Sequence, residues 1–420
     1  MTTTALNIIT WYRRQKISLQ LLPFLFLYGL ISTVFAPSGF AGDESRYIAL
    51  ATNISEGYYS PPYPNIKLWC GPGYPLLIAP FLAFGFPYLL IRLLNAILLY
   101  LSLIITNKSI RYYTKESQAL AYTILLGIYY PIYHTLPLMH TEALAWFLIS
   151  LGCLFILKLF KEERMQGKYL ILSSLAFAFL VYTKVIFAYV VVLMILVGLL
   201  MFLKTDLKKT AVKTLRVFSL TLLLCLPYTL YTYQLTGKFF YWASSGGMSL
   251  YTMSTPYPNE YGDWRNSDKL SAETNHKAFM ESIRELPPIE RDEAFKKAAI
   301  QNIKTHPRKY IMNWFANIGR LLFHYPFSYK LQSLDIYFIL LPNMFVFVLL
   351  AFSLPIGLRY YSRIPSELFL LLIIFMIYLF GSSLLSAYRR MFIITMPFWI
   401  IYISFFFSKI IRVNIHDDVG

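Results

Sequence analysis

Charged residues are scarce in this 420-residue sequence. Asp, Glu, Lys and Arg make up 14% of it, whereas 57% of the residues are hydrophobic and 18% are aromatic. The mean hydropathy is +0.53. So few charges cannot cover the surface of an ordinary soluble protein, and the composition excludes that class. Together with the long apolar runs, it predicts an all-α polytopic membrane protein.

Cysteines are also few, and several common catalytic motifs are lacking. The chain has three cysteines, and two of them lie inside apolar runs, so neither a disulfide framework nor a metal-binding cluster is indicated. It lacks a nucleotide-binding loop, a paired histidine–carboxylate zinc motif and a serine elbow. The sequence therefore indicates no particular cofactor, and it leaves a divalent metal open without indicating one.

Acidic residues are outnumbered by basic ones, 21 against 38, which gives a formal net charge of +17. Such an excess could favour nucleic acid, but the basic residues lie mainly in short clusters between apolar runs, as in cytoplasmic loops. We interpret the basicity as membrane topology and attraction to anionic lipid headgroups. We expect no nucleic-acid partner.

Ten apolar runs are predicted to cross the membrane, with both chain ends in the cytoplasm. The basic cluster of Arg13, Arg14 and Lys16 precedes the first run and places the N-terminus inside. The spans are predicted at residues 17–36, 87–105, 118–133, 142–159, 169–182, 186–203, 215–233, 336–356, 367–385 and 392–407.

The predicted organisation is a transmembrane catalytic module at residues 1–235, a large external loop at 236–333 and C-terminal transmembrane helices at 334–420. The first external loop, residues 37–86, contains a predicted interfacial helix from Asp43 to Ser55 that stops at Gly57. In the large loop we predict helices at residues 271–286, with Ser271 as the cap, and at 289–305, and a third that starts at Pro307.

Two adjacent carboxylates, Asp43 and Glu44, stand where the chain leaves the first span. Polar groups beside a bilayer cost free energy unless they are solvated, paired or used, so this pair is a candidate site. The alternative is an acidic pair in a solvated loop or at a helix N-terminus. Other charged residues are predicted on the same external side, and they are Lys67, Glu142, Lys184, Arg389 and Arg390.

A carboxylate in such a group can act as a general base, and fixed cations can neutralise a departing phosphate. The alternative for each cation is that its side chain extends along apolar surface to reach the interface. The turn at residues 244–247, Ser-Ser-Gly-Gly, could expose backbone N–H groups to a phosphate, or it could be a flexible hairpin.

Three motifs carry a family resemblance. Gly-Asp-Glu-x-x-Tyr at residues 42–47 follows the first span, Gly-Pro-Gly-Tyr-Pro-Leu-Leu lies at 71–77, and Thr-Glu-Ala-Leu at 141–144 opens the fourth span. The chain resembles the GT-C membrane glycosyltransferases, and within them the branch of protein O-mannosyltransferases and lipid A aminoarabinose transferases, glycosyltransferase family 39. It departs from that branch at Lys184 and Val185, where Arg and Pro are usual.

The resemblance implies an inverting glycosyltransferase with the GT-C fold. It would move one sugar from a polyprenyl-phosphate donor to a lipid, glycan or protein acceptor on the external face, as in a bacterial inner membrane. Carried over by motif, Asp43 matches the catalytic position, Glu44 lies beside it, and Glu142 matches the acidic residue of the second external loop. By region alone, the residues that match donor-phosphate ligands are Lys67, Lys184, Arg389 and Arg390.

Two other classes remain open at this stage. A transporter or lipid flippase would also be polytopic and basic, but its charged residues should lie near the middle of the spans. An O-antigen ligase or polymerase would join many spans to a large external loop and use external Arg and His, for which His134, His140 and Arg320 are candidates. It would not need Asp43.

The basic-loop pattern places the hairpins that carry Asp43, Glu142, Lys184 and Arg389 in one non-cytoplasmic compartment. Single cysteines introduced beside each of these residues should react with an impermeant thiol reagent in intact cells. A matched cysteine beside Lys208, in a predicted cytoplasmic loop, should react only after lysis. If one of the four hairpins behaved like that control, a shared site would be ruled out.

Overall fold

The computed structural model describes residues 15–324 and 334–411, and every regular element in those ranges is helical. The predicted basic residues Arg13 and Arg14 lie outside the described residues. The helices are α1 (Ile17–Gln20), α2 (Leu22–Val34), α3 (Glu44–Ser55), α4 (Gly73–Ala83), α5 (Tyr88–Ile110), α6 (Glu116–Gly127), α7 (Glu142–Lys161), α8 (Gln166–Thr183), α9 (Ile186–Phe202), α10 (Lys208–Thr236), α11 (Gly246–Met253), α12 (Ser267–Ala272), α13 (Thr274–Ser282), α14 (Pro288–Thr305), α15 (Pro307–Phe323), α16 (Tyr337–Arg359), α17 (Ser366–Ser383), α18 (Arg389–Ile393) and α19 (Met396–Phe405).

Within residues 15–324 and 334–411, six helical segments are long and apolar enough to cross a membrane, and they contain α5, α7, α8, α10, α16 and α17. Three further predicted spans are shorter apolar helices, α2, α9 and the segment Met396–Ile410. The large buried side chains, Trp146 and Trp399 among them, lie in the interior of this helical bundle. The chain is an all-α polytopic membrane protein, as its composition predicts.

The predicted third span, residues 118–133, is broken. Helix α6 ends at Gly127, and a 3-10 helix follows over Tyr130–Thr135. Pro131 cannot donate a backbone hydrogen bond, which disfavours continuation of the helix. The carbonyl of Gly127 instead accepts hydrogen bonds from the hydroxyls of Tyr28 and Tyr133, each at 2.8 Å. These bonds satisfy a carbonyl at the helix end.

The first external loop contains the predicted helix. α3 runs over Glu44–Ser55, and Gly57 follows it with a φ of +94°, a conformation that glycine adopts without strain. Tyr47, Leu50 and Ala51 on one side of α3 are buried. α3 packs against α4, the second helix of this loop. The loop is therefore a folded layer over the helical bundle.

The large external loop is helical, although the start of its first helix was predicted wrongly. Ser271 lies inside α12, and the cap is Asn266, whose side chain accepts a hydrogen bond from the N–H of Lys269 at 2.9 Å. α14 confirms the predicted second helix, and α15 starts at Pro307 as predicted. Residues 325–333 of this loop lie outside the described residues.

The turn at residues 244–247 leads into α11. Its Gly247 N–H donates to Oδ1 of Asp292 at 2.7 Å, and the N–H of Ser244 donates to the carbonyl of Leu68 at 2.6 Å. A Cβ on Gly247 would lie 2.2 Å from the carbonyl oxygen of Asp292. Two of the amides that could have bound a phosphate are thus already used: that of Gly247 within the large external loop, and that of Ser244 in joining the two external loops.

The Gly-Pro-Gly motif of the first external loop is explained by close packing. A Cβ on Gly71 would lie 2.1 Å from the carbonyl oxygen of Tyr182, and one on Gly73 would lie 2.7 Å from the backbone nitrogen of Thr183. Only glycine lets the backbone approach this closely. The motif therefore seats the first external loop directly on the hairpin that carries Lys184.

Replacement of Gly71 by Ala should destabilise the protein by about 1–3 kcal/mol, the usual cost of overpacking a filled site. Thermal unfolding in detergent micelles would measure this. Gly167→Ala is the matched control, because a Cβ at Gly167, near the start of α8, meets open space. Equal unfolding temperatures for the two variants would contradict the packing argument.

Candidate active site

Asp43 lies immediately before α3, at the end of a turn that Gly42 makes with a φ of +60°. Nη1 of Arg46, one helical turn later, donates to Oδ1 of Asp43 at 2.8 Å. Nη2 of Arg390 donates to Oδ2 at 3.1 Å. Each carboxylate oxygen therefore has its own guanidinium partner, and the second partner is 347 residues away in the chain.

Glu142 begins α7 and its side chain is fully buried. Nζ of Lys184, in the turn between α8 and α9, donates to Oε1 of Glu142 at 2.8 Å. Nε of Arg390 lies 3.9 Å from the same oxygen. Arg390 thus bridges Asp43 and Glu142, and a buried ion pair of this kind needs such multiple contacts to offset the loss of hydration.

Asp43, Lys184 and Arg390 border a pocket of about 150 Å³, called here the Asp43 pocket. Glu142 does not border it and lies behind the two cations. The bordering residues are Asp43, Arg46, Tyr47, Trp69, Cys70, Gly71, Thr183, Lys184, Val185, Ser245 and Arg390. The pocket thus presents one carboxylate and three cations to whatever enters it.

The charges of the site determine its protonation. Burial raises the pKa of Asp43, but the charge and hydrogen bond of Arg390 and the charge of Arg46 together lower it below its ordinary value. Burial lowers the pKa of Lys184, and the charge of Glu142 offsets this only in part. For Arg390, burial acts to lower the pKa, but Glu142 and Asp43 raise it above the ordinary arginine value. At neutral pH Asp43 is therefore a carboxylate that can accept a proton.

Glu44 occupies a different environment from Asp43. Its side chain is fully buried, its Oε2 accepts a hydrogen bond from the N–H of Ala41 at 2.6 Å, and its Oε1 accepts one from the N–H of Met139 at 2.7 Å. Nη2 of Arg92 lies 3.5 Å from Oε1. Glu44 ties the first external loop to the segment before α7, and it does not border the Asp43 pocket.

The other two predicted phosphate ligands lie elsewhere. Lys67 borders a larger cavity next to the Asp43 pocket. Arg389, adjacent to Arg390 in the chain, has as its electrostatic neighbours Asp335, which precedes α16, and Tyr130 and Tyr129, which follow α6. Burial lowers the pKa of both His134 and His324, and the charge of Arg389 lowers it further. Although adjacent in the chain, Arg389 and Arg390 therefore have different electrostatic neighbours.

Two residues of the site were missed in the sequence. Arg46 is three positions after Asp43, a spacing that brings side chains together on a helix and could have predicted their contact. The guanidinium of Arg46 lies over the ring of Trp69, 4.4 Å from its centroid. No local sequence pattern predicts that Trp69 borders the pocket, because its position depends on how the first external loop folds.

A possible metal-ligand cluster lies away from this site, in the large external loop. Glu260, Glu273 and His276 have ligand atoms close enough together to share an ion. However, Nη1 of Arg265 lies 3.1 Å from Oε2 of Glu260 and 2.8 Å from Oε2 of Glu273. The arginine supplies the positive charge, so we interpret this cluster as an ion-pair network that stabilises the loop.

The three residues considered for a ligase do not meet. Nδ1 of His140 lies 3.9 Å from Oε2 of Glu142, beside the Asp43 pocket. His134 packs edge-on against Tyr130. Arg320 donates from Nη2 to the side-chain oxygen of Asn317 at 3.1 Å. The structure therefore brings together Asp43, Glu142, Lys184 and Arg390 rather than these three.

No profile of a known protein family and no curated protein sequence matches the chain. Several solved structures do match the chain. The oligosaccharyltransferase AglB of Archaeoglobus fulgidus, tethered to an acceptor peptide, matches 95% of this chain with 14% identity and a TM-score of 0.52. AglB with an inhibitory peptide and a dolichol-phosphate matches 93% with 13% identity and a TM-score of 0.50. The chain spans 50% of the AglB length in both cases.

The structure of ArnT from Cupriavidus metallidurans, bound to undecaprenyl phosphate, is also similar. The match covers 93% of this chain and 76% of the ArnT chain, with 14% identity and a TM-score of 0.44. The likeness to AglB shows the class to which the fold belongs. The chain has the GT-C fold of membrane glycosyltransferases, as the sequence motifs predict.

The buried pair of Lys184 and Glu142 makes a testable prediction about stability. Lys184→Met leaves a buried carboxylate with Arg390 as its remaining close arginine partner, and should cost about 3 kcal/mol in free energy of unfolding. Adding Glu142→Gln removes the unpaired charge and should restore part of that loss.

Unfolding of the single and double variants in micelles would measure this coupling. Lys297→Met, a change of the same kind at an exposed position of α14, is the control. A double variant whose loss equals the sum of the two single losses would show that the pair is not coupled.

Proposed function

We propose that this protein is an inverting glycosyltransferase that moves one sugar from a polyprenyl-phosphate donor to a hydroxyl group of a lipid, glycan or protein acceptor. The observation that carries the proposal is the ionised Asp43, held by two arginines in a pocket that Lys184 also borders. A base and fixed cations in one small pocket are what this transfer requires.

In the proposed reaction Asp43 accepts the proton of the acceptor hydroxyl as that oxygen attacks the anomeric carbon. The bond from the anomeric carbon to the phosphate oxygen breaks, and its electron pair leaves with the polyprenyl phosphate. Attack opposite the leaving group inverts the anomeric centre in one step. Arg46 and Arg390 keep Asp43 deprotonated and hold its orientation.

The leaving phosphate gains negative charge in the transition state. Lys184 and Arg390 are placed to receive it, and interactions that strengthen as the charge develops lower the barrier. Glu142 would act indirectly by positioning Lys184 and Arg390, since it contacts both cations without bordering the pocket. With three cations against the carboxylates Asp43 and Glu142, the site keeps a positive charge for an anionic donor.

The shared fold supports a lipid-linked donor, because the AglB of this fold was solved with a dolichol-phosphate and a peptide. The basic-loop pattern supports an active site on the non-cytoplasmic side. We propose the periplasmic or extracellular face of a bacterial inner membrane as its location.

Asp43→Asn should lower sugar transfer by roughly 10²–10⁴-fold, the loss expected for a general base. The amide keeps the shape of the side chain but does not accept the proton. Donor binding should persist, because the substitution removes a negative charge that opposes a phosphate. The measurement is transfer from a prenyl-phosphate sugar by purified protein, together with donor binding and thermal unfolding.

Asp268→Asn is the matched control, because it makes the same chemical change at an exposed position in the large loop. It should leave transfer unaltered. Near-normal transfer by a folded Asp43→Asn protein would remove Asp43 from the mechanism.

A further inference from the structure

A second cavity, of about 510 Å³, lies between α3 of the first external loop and α14 of the large external loop. This volume is within the roughly 300–1,000 Å³ of small-ligand sites. Arg46 and Trp69 border both this cavity and the Asp43 pocket, so the two spaces adjoin. A molecule bound in the larger cavity can thus direct one of its groups past Arg46 toward Asp43.

The charged groups that face this cavity are mostly cations. Lys67 is exposed and makes no ion pair within the described residues. Arg291 is held in place because its Nη2 donates to the carbonyls of Arg284, at 2.6 Å, and Leu286, at 3.0 Å. Its Nε–H is buried and has no hydrogen-bond partner among the described residues. Arg291 borders the cavity, so its guanidinium contributes positive charge to the cavity wall.

The acidic residue on the cavity wall does not balance these cations. Asp292 is buried, and its Oδ2 lies 2.7 Å from Nζ of Lys296. Its oxygens also accept hydrogen bonds from the N–H of Gly247 at 2.7 Å and the hydroxyl of Tyr241 at 2.9 Å. The carboxylate is therefore already satisfied, and the cavity presents positive charge to a ligand.

The cavity also has apolar walls. Trp69, Met248 and Phe295 border it, and the guanidinium over Trp69 helps to hold that ring. Aromatic faces beside a few placed polar groups suit a ring with apolar C–H faces and hydroxyl edges, such as a sugar. Positive charge and ring-sized apolar walls together favour a saccharide that carries an anion.

We infer that this cavity is the acceptor site and that the acceptor is an anionic saccharide, free or as part of a larger glycan or glycolipid. The inference rests on the proposed function, and it assigns Lys67 and Arg291 to the phosphate or carboxylate of the acceptor. Lys67, predicted from the sequence as a donor-phosphate ligand, thereby serves the other substrate. The acceptor hydroxyl reaches Asp43 past Arg46 and Trp69.

The test uses the full chain in nanodiscs of phosphatidylcholine, with calorimetry to measure binding of glucose 6-phosphate, glucose and inorganic phosphate. Glucose 6-phosphate should bind at least tenfold more tightly than either of the others. Lys67→Gln should weaken its binding by about tenfold, the effect of losing roughly one charge-assisted contact. Arg291→Gln should weaken it too, and Lys67→Arg should largely retain it.

Lys297→Gln is the matched control, because it removes the same charge from an exposed position of α14, and it should leave binding unchanged. Equal binding of glucose and glucose 6-phosphate, or unchanged binding in both Lys67→Gln and Arg291→Gln, would overturn the inference. Inorganic phosphate as tight as glucose 6-phosphate would also overturn it, since the saccharide would then add nothing. So would loss of binding in phosphatidylglycerol nanodiscs, which would assign the cations to a lipid headgroup.

The same binding assay on Asp43→Asn separates this inference from the proposed function. Probe binding that depends on Lys67 and persists in Asp43→Asn supports the acceptor site. Transfer that survives in Asp43→Asn refutes the mechanism and leaves the cavity result standing.

Discussion

The contacts of Arg390 with Asp43 and Glu142 join parts of the chain that are far apart in sequence at one end of the helical bundle. They join the first external loop, the start of α7 and the segment before α19, and Lys184 adds the turn between α8 and α9 through Glu142. Buried ion pairs often contribute little net stability, because taking the charges out of water costs nearly as much as their attraction returns. A buried cluster of this kind that borders a pocket is therefore better explained by function than by stability.

The position of Arg390 depends on the large external loop. Nδ2 of Asn317, in α15, donates to the carbonyls of Ser383 at 2.7 Å and Leu385 at 2.6 Å, and its Oδ1 accepts from the N–H of Ala387 at 2.9 Å. The hydroxyl of Ser386 donates to the carbonyl of Gly262 at 2.8 Å. The large external loop thus shapes the chain just before Arg390 and contributes to the geometry of the site.

The Asp43 pocket and the larger cavity adjoin but differ in charge, and the proposed reaction assigns them different roles. The Asp43 pocket is small and contains the base, whereas the larger cavity has apolar walls and cations that Asp43 does not neutralise. Arg46 belongs to both, since it pairs with Asp43 and lies over Trp69. Under the proposed function, the Asp43 pocket would hold the reacting groups and the larger cavity would hold the acceptor.

The sequence by itself determined the features that depend on composition or on short-range geometry. Apolar runs between basic clusters predicted the polytopic architecture, the helical spacing of apolar residues before Gly57 predicted the helix at residues 43–55, and Pro307 marked the start of α15. Only the tertiary structure decided which charges meet. Arg389 and Arg390, or Asp43 and Glu44, are neighbours with equivalent local sequence, yet one of each pair faces the pocket. The direction of a side chain at the end of a span depends on how the helices are rotated and packed. Contacts between residues hundreds of positions apart determine that packing.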